Sequence, residues 1–173
     1  MSNWYMVTVV GHDQPGIVAG LSRVLTEGGW SLGESSMARL GGNFTIMMMV
    51  QGEGSESDLG RVIDPVGASL GLHVHIDGIQ AELHQHPDPN VQVRVYGADR
   101  TGIVADVTGD LAEAGLTILD LNSEVSGTTD APVYVMVLDG FVENGATALD
   151  SAVQRLNRKG LKVDVEPIDL LVG

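Results

Sequence analysis

The chain contains no cysteine, so a disulfide scaffold, a thiolate metal site and thiol redox chemistry are all excluded. That absence fits a reducing compartment, and a cytoplasmic protein is expected. Aromatic residues make up only 4% of the 173 residues, too few for the base-stacking sheet of RNA-binding domains. Lysine and arginine number 9 against 23 aspartates and glutamates, a formal net charge of −14. Affinity for nucleic acid rests on cations that neutralise phosphates, so no direct DNA or RNA binding is expected. No apolar run approaches the roughly 20 residues of a membrane span, and the start MSNWYMVTVVGHD lacks the basic segment and cleavage site of a signal peptide, so no membrane association is expected.

What remains is a chain that is 43% hydrophobic and 18% charged, able to form true cores, and it repeats itself. GHDQPGIVAG, Gly11 to Gly20, returns as GADRTGIVAD, Gly97 to Asp106. In the same register Val7, Val9, Leu25, Glu27 and Gly29 meet identical residues at Val93, Val95, Leu111, Glu113 and Gly115. The period is about half the chain, far above the roughly 20 to 50 residues of solenoid repeats, and indicates two complete small domains. Their expected limits are 1–83 and 91–173, joined by a stiff linker at 84–90 with the sequence HQHPDPN. The second copy carries a few extra residues, placed in the turn Ser126 to Pro132 that answers Leu40-Gly41-Gly42-Asn43.

In copy one, Tyr5 to Val10 reads as a buried strand, and Ile17, Val18, Leu21, Val24 and Leu25 as a helix stopped by Gly28-Gly29. Trp30 to Leu40 and Phe44 to Val50 read as a hairpin about a glycine turn. A second apolar stripe from Leu59 to Leu70 contains Pro65, expected to kink or delay that helix, and Leu72, Val74 and Ile76 alternate as a fourth strand. Copy two repeats the order, with a last helix expected around Asn144 to Lys159, its Arg155, Arg158 and Lys159 favouring the C-terminal dipole and Gly160 taking a left-handed cap. The expected fold class is α+β: two βαββαβ units of ferredoxin-like arrangement, with antiparallel sheets and helices on one face. The third strand of each copy is apolar on both sides, which predicts that the second sheet face is also covered, either because the two sheets join or because the protein self-associates.

Each repeated turn joins a strand to a helix and so presents unpaired N–H groups and the positive end of a macrodipole, where anions bind readily. Asp13 and Asp99 are expected as N-caps, Pro15 suits a first helical turn, and Gly16 and Gly102 permit close approach. A capped strand-to-helix junction needs these residue types with no ligand at all. A helix terminus supplies about 0.3 to 2 kcal/mol against the roughly 8 kcal/mol of micromolar binding, so other groups must converge on any ligand.

The run Val10 to Ala19, followed by a helix ending Glu27-Gly28-Gly29 and a strand, resembles the opening of an ACT domain. The usual Asp-Arg-x-Gly of that family stands in copy two as Asp99-Arg100-Thr101-Gly102, whereas copy one has Asp13-Gln14-Pro15-Gly16. Together the copies span nearly the whole chain, and two such domains with SSMARLGGNFTIMMMV, Ser35 to Val50, are similar to the glycine cleavage system transcriptional repressor family. The resemblance implies a small amino acid effector held by His12, Asp13, Gln14, Pro15, Gly16 and Ile17, with Asp99, Arg100, Thr101, Gly102 and Ile103 in the second copy. It puts that site between paired domains, where the first turn and first helix face the second strand of a neighbour, and Ser35, Ser36, Asn122 and Ser123 are the candidates on those facing strands. It further implies a homo-oligomer that works through a protein partner such as a transcription activator, with no cofactor. The sites of the two copies are expected to be unequal, since copy two lacks the His and Pro.

Other readings stay open. A duplicated ligand-free scaffold or dimerisation module accounts for the same turns. His73, His75, His84 and His86 have spacings at which neutral imidazoles hold zinc or copper, although edge histidines beside a linker are the simpler account. No nucleophile with a paired base is present, and no Arg precedes Arg23 to cradle an acylphosphatase substrate, so no enzymatic activity is expected. The acidic surface suits docking on a basic protein partner.

Overall fold

A computed structural model describes residues 2–80, 87–128 and 131–168. His84, His86 and the first part of the expected linker lie outside the described residues. The chain divides into two compact units, Met1–His84 and Gln85–Gly173, each with its own apolar core.

In the first unit, β1 (Asn3–His12), α1 (Ile17–Glu27), β2 (Ser31–Leu40), β3 (Asn43–Gly52), α2 (Glu56–Ser69) and β4 (His73–Ile79) follow one another. The sheet order is β2-β3-β1-β4, antiparallel throughout. Strand alternation sends Tyr5, Val7 and Val9 of β1 and Phe44, Ile46, Met48 and Val50 of β3 to one face. There they meet Ile17, Leu21 and Leu25 of α1 and Leu59 and Ile63 of α2, so both helices cover the same side. Gly41 and Gly42, with φ of 57° and 77°, form the two-residue turn between the paired Leu40 and Asn43.

The second unit repeats the plan with β5 (Val91–Ala98), α3 (Ile103–Glu113), β6 (Thr117–Thr128), β7 (Ala131–Phe141), α4 (Asp150–Arg158) and β8 (Lys162–Pro167). Its sheet order is β6-β7-β5-β8. The hairpin from β6 to β7 runs on to the pair Thr128 and Ala131, which places the extra residues of the second copy there. The fold is the expected pair of βαββαβ units.

Three local expectations are corrected and a fourth is extended. Asp13 and Asp99 do not cap their helices: the N-cap positions are Gly16 and Gly102, at φ of 92° and 85°, and no side chain caps either helix. The left-handed glycine turns the chain into the helix after the aspartate has passed, so the carboxylate never reaches the free N–H groups. Pro65 does not delay α2, which runs from Glu56 to Ser69 with the proline inside it. Pro65 lies on the exposed side, where the Arg61 carbonyl that loses its helical partner meets water, and the helix is fixed upstream by a capping box between Ser55 and Asp58. The helix expected around Asn144 to Lys159 is broken into a 3-10 turn, Ala146–Leu149, and α4 proper. Gly145, with φ of 72°, starts that turn without a side-chain cap, and fully buried Leu149 anchors it. Finally, Arg155 and Lys159 do more than serve a helix dipole: both reach Asp110 of α3, at 3.1 and 2.9 Å. Gly160 has the expected positive φ.

On the sheet face away from the helices, Met47 and Val10 remain about half exposed in the first unit. The corresponding face of the second unit is more polar, with Gln92 donating to Asp139 and Arg94 paired with Glu166. Among the described residues no helix is long and apolar enough to cross a membrane.

Candidate functional site

The turn between β1 and α1 is held from two sides. The Asp13 N–H donates to the Gly42 carbonyl at 3.0 Å, which ties it to the β2–β3 hairpin. The Gln14 side chain donates to the Leu70 carbonyl at 2.7 Å, which ties it to the end of α2. Gly16 then brings the chain into α1, and its carbonyl accepts the first helical bond, from Gly20. A Cβ at Gly16 would meet nothing within 4 Å, so its positive φ, and no lack of space, demands glycine there.

This turn forms one wall of an open groove of about 370 Å3 lined by Asp13 to Ala19, Met37, Arg39 and Phe44. Met37 and Arg39 reach it because β2 is an edge strand and their partners Ile46 and Phe44 point to the helix side of the sheet. Arg39 Nε donates to Asp13 Oδ2 at 2.7 Å, and Nη2 donates to the same oxygen. The first turn of α1 carries no acidic residue and no side-chain cap, so its free N–H groups and partial positive charge stand at the groove unneutralised. An anion, a cation held by Asp13, and a small apolar group against Met37 and Phe44 are what such a surface can accept.

Asp13, Gln14, Pro15, Gly16 and Ile17 are thus brought together, but three other candidates of the first unit are not. His12 is exposed, and strand alternation turns it away from the groove. Ser35 faces the helix side opposite Met48, farther along β2 than the groove, and Ser36 is on the opposite sheet face, paired with Met47. Arg39, Met37 and Phe44 were not anticipated; the signal for them was the glycine turn, which folds the end of β2 back beside the β1–α1 junction.

The second turn is built differently. Arg100, at the position of Gln14, points its Nη2 to Asp106 Oδ2 at 2.6 Å, inside the first turn of α3. Lys159 bridges Asp106 and Asp110, at 3.5 and 2.9 Å. The hydrogen bond from Arg100 holds the Asp106 carboxyl below its ordinary range against a smaller opposing effect of desolvation, with Lys159 adding to it. Asp110 is lowered chiefly by Lys159. The helix start that carries Asp106 is therefore met by a negative charge of its own chain. Asp99 and Thr101 are exposed, Ile103 is buried, and Gly102 holds the left-handed position. Ser123 lies on the helix side opposite Met136, whereas Asn122 lies on the other face and donates to Asp120 at 2.6 Å.

Two of the histidines, His73 and His75, sit beside Val10 and Thr8 on the sheet face away from the helices, and His75 contacts Asp77 at 3.1 Å. Among the described residues no three His, Asp or Glu side chains gather as metal ligands.

Comparison with known proteins agrees with this architecture. The ACT domain family matches residues 4–77 and again residues 91–159. The UPF0237 protein YjhC of Lactococcus lactis subsp. lactis is 38% identical over 72 residues, 41% of this chain and 83% of that protein. Among solved structures, a protein of Galdieria sulphuraria superposes with a TM-score of 0.77 at 24% identity, covering 98% of this chain and 100% of the other. A protein described as a glycine cleavage system transcriptional repressor superposes with a TM-score of 0.74 at 20% identity, covering 98% and 99%. Those two structures share the fold. The chain belongs to the ACT domain family of regulatory modules and carries two such domains in tandem.

Proposed function

We propose that this protein is a non-catalytic, cytoplasmic regulator that senses a free small amino acid in the groove of its first unit and passes the signal on by contact with a protein partner. The observation that carries the reading is the convergence, in one groove of about 370 Å3, of the uncapped start of α1 with Asp13 and Arg39. Helix N–H groups and a guanidinium suit a carboxylate, a carboxylate suits an ammonium, and the shallow apolar floor suits a short side chain. Glycine is the first ligand to test, and the likeness in fold to a protein described as a glycine cleavage system repressor points the regulated process toward glycine and one-carbon metabolism. The partner is a protein such as a transcription activator, because a net charge of −14 opposes binding to DNA. Half-exposed Met47 and Val10 on an open sheet face support self-association.

Thermal-shift screening against the free amino acids tests the reading. A ligand present at about a hundred times its Kd adds about 2.7 kcal/mol to the folded state and raises Tm visibly. No shift with any of them favours a ligand-free duplicated scaffold. A gel shift showing tight, sequence-dependent DNA binding by the isolated protein would overturn the partner-mediated part.

A further inference from the structure

Building on the proposed effector groove, we infer that the Asp13–Arg39 ion pair is the selectivity element of the first unit, and that a zwitterion is admitted by replacing it charge for charge. Both Arg39 donors fall on a single oxygen, Oδ2 of Asp13. The pair is therefore side-on, with Oδ1 left to accept from an ammonium and the remaining guanidinium N–H groups left to donate to a carboxylate.

The two partners differ in freedom. Asp13 is only 24% exposed and its backbone N–H is fixed to Gly42, whereas Arg39 is 67% exposed on an edge strand. The anion is fixed and the cation can swing. An exposed ion pair contributes little to stability, so opening it costs little. A free α-amino acid inserted between the two gives each charge a new partner. A lone carboxylate placed there meets the Asp13 charge, and a lone ammonium meets that of Arg39.

The duplication supplies an internal contrast. Arg39 pairs with Phe44, which also pairs with Gly11; the equivalent place in the second unit, paired with Tyr134 opposite Gly97, is Val125. At the second turn the nearby guanidinium is that of Arg100, and it is committed to Asp106. Selection by two charges is thus a property of the first unit alone.

The test uses the whole protein with the free amino acids, their α-amides and their N-acetyl derivatives, read by calorimetry and thermal shift for wild type, Arg39→Gln, Arg39→Lys, Asp13→Asn and Arg100→Gln. Wild type is expected to bind a free amino acid and to lose about tenfold or more with either blocked form. Arg39→Gln should lose affinity and no longer distinguish acid from amide, Arg39→Lys should recover that distinction, and Asp13→Asn should no longer distinguish free from acetylated amine. Arg100→Gln should change none of these. If a free amino acid binds but blocked forms bind equally well, or Arg39→Gln leaves affinity unchanged, the selectivity role is overturned while the effector groove stands. If no member of the set binds wild type, both fall.

Discussion

Gln14 donates its side-chain N–H to the carbonyl of Leu70, 2.7 Å away, at the residue that closes α2. One bond thereby joins the repeated turn to the far end of the second helix and satisfies a carbonyl that the helix itself leaves without a partner. The second unit has Arg100 at this position and uses it inside its own turn, toward Asp106. Where copy one departs from the usual family residue, then, it gains a link between elements. Gln14→Ala is expected to destabilise the first unit by about 0.5 to 1 kcal/mol, an ordinary net value for one accessible hydrogen bond. Both tryptophans, Trp4 and Trp30, lie in the first unit, so urea unfolding followed by tryptophan fluorescence reads that unit alone.

The repeated glycine before the turn has a packing cause. A Cβ at Gly11 would come within 2.5 Å of Leu72 Cδ2, and one at Gly97 would press on Leu161 Cδ2 in the same way. Each leucine is the residue just ahead of the unit's last strand and lies in its core. Gly11→Ala and Gly97→Ala should each cost about 1 to 3 kcal/mol by overpacking. The checking measurement is differential: Gly11→Ala should shift the tryptophan transition, and Gly97→Ala should shift only the part of the circular dichroism change that tryptophan does not follow.

Much of this was legible in the sequence, for identifiable reasons. Ile17, Leu21 and Leu25 recur at helical spacing and Leu72, Val74 and Ile76 alternate, so those faces followed from periodicity; the apolar runs Tyr5 to Val10 and Phe44 to Val50 marked strands without telling which face meets the helices, and the glycine pair marked the hairpin. The groove was only half legible. Its first wall is contiguous in the chain, but Arg39 and Met37 join it through the register of an edge strand, and adjacent candidates such as Ser35 and Ser36 necessarily point to opposite faces. The N-cap role given to Asp13 and Asp99 failed because a residue type favoured at helix starts was placed without the left-handed glycine that follows it. The basic end of α4 reads as a dipole partner until α3 is beside it, when Asp110 becomes the nearer attraction.

The capping box at the start of α2 offers a local test of helix stability. Ser55 Oγ accepts from the Asp58 N–H at 3.2 Å, and Asp58 Oδ2 accepts from the Ser55 N–H at 2.8 Å. Hydrogen bonds from the Ser55 side chain and backbone hold the Asp58 carboxyl below its ordinary range, with desolvation opposing and Arg61 assisting. Ser55→Ala is expected to cost about 1 kcal/mol. The loss should appear first as faster hydrogen exchange in the opening turns of α2, with α1 little affected, because α1 starts at Gly16 and takes no part in the box.

A pH dependence of stability should come from the clamp between α3 and α4. Asp106, Asp110 and Glu113 of α3 face Arg155 of α4 and Lys159 just past its end, with Arg100 entering from the turn. Both Asp106 and Asp110 titrate below the ordinary 3.8, so the stability they contribute is fully present above that value and is lost as pH falls through their folded-state values. Lys159 is shifted the other way: its hydrogen bond to Asp110 raises it above 10.5, against a smaller loss from desolvation, so its contribution holds below 10.5 and disappears as pH rises through the folded-state value. Asp110→Asn should therefore melt earlier than wild type at neutral pH, and the gap between them should close in acid below 3.8 and narrow again in alkali above 10.5. Paired melting curves across that range, at low salt to limit screening, decide the matter: a gap that stays constant into acid would show that Asp110 acts by packing and that its charge contributes nothing.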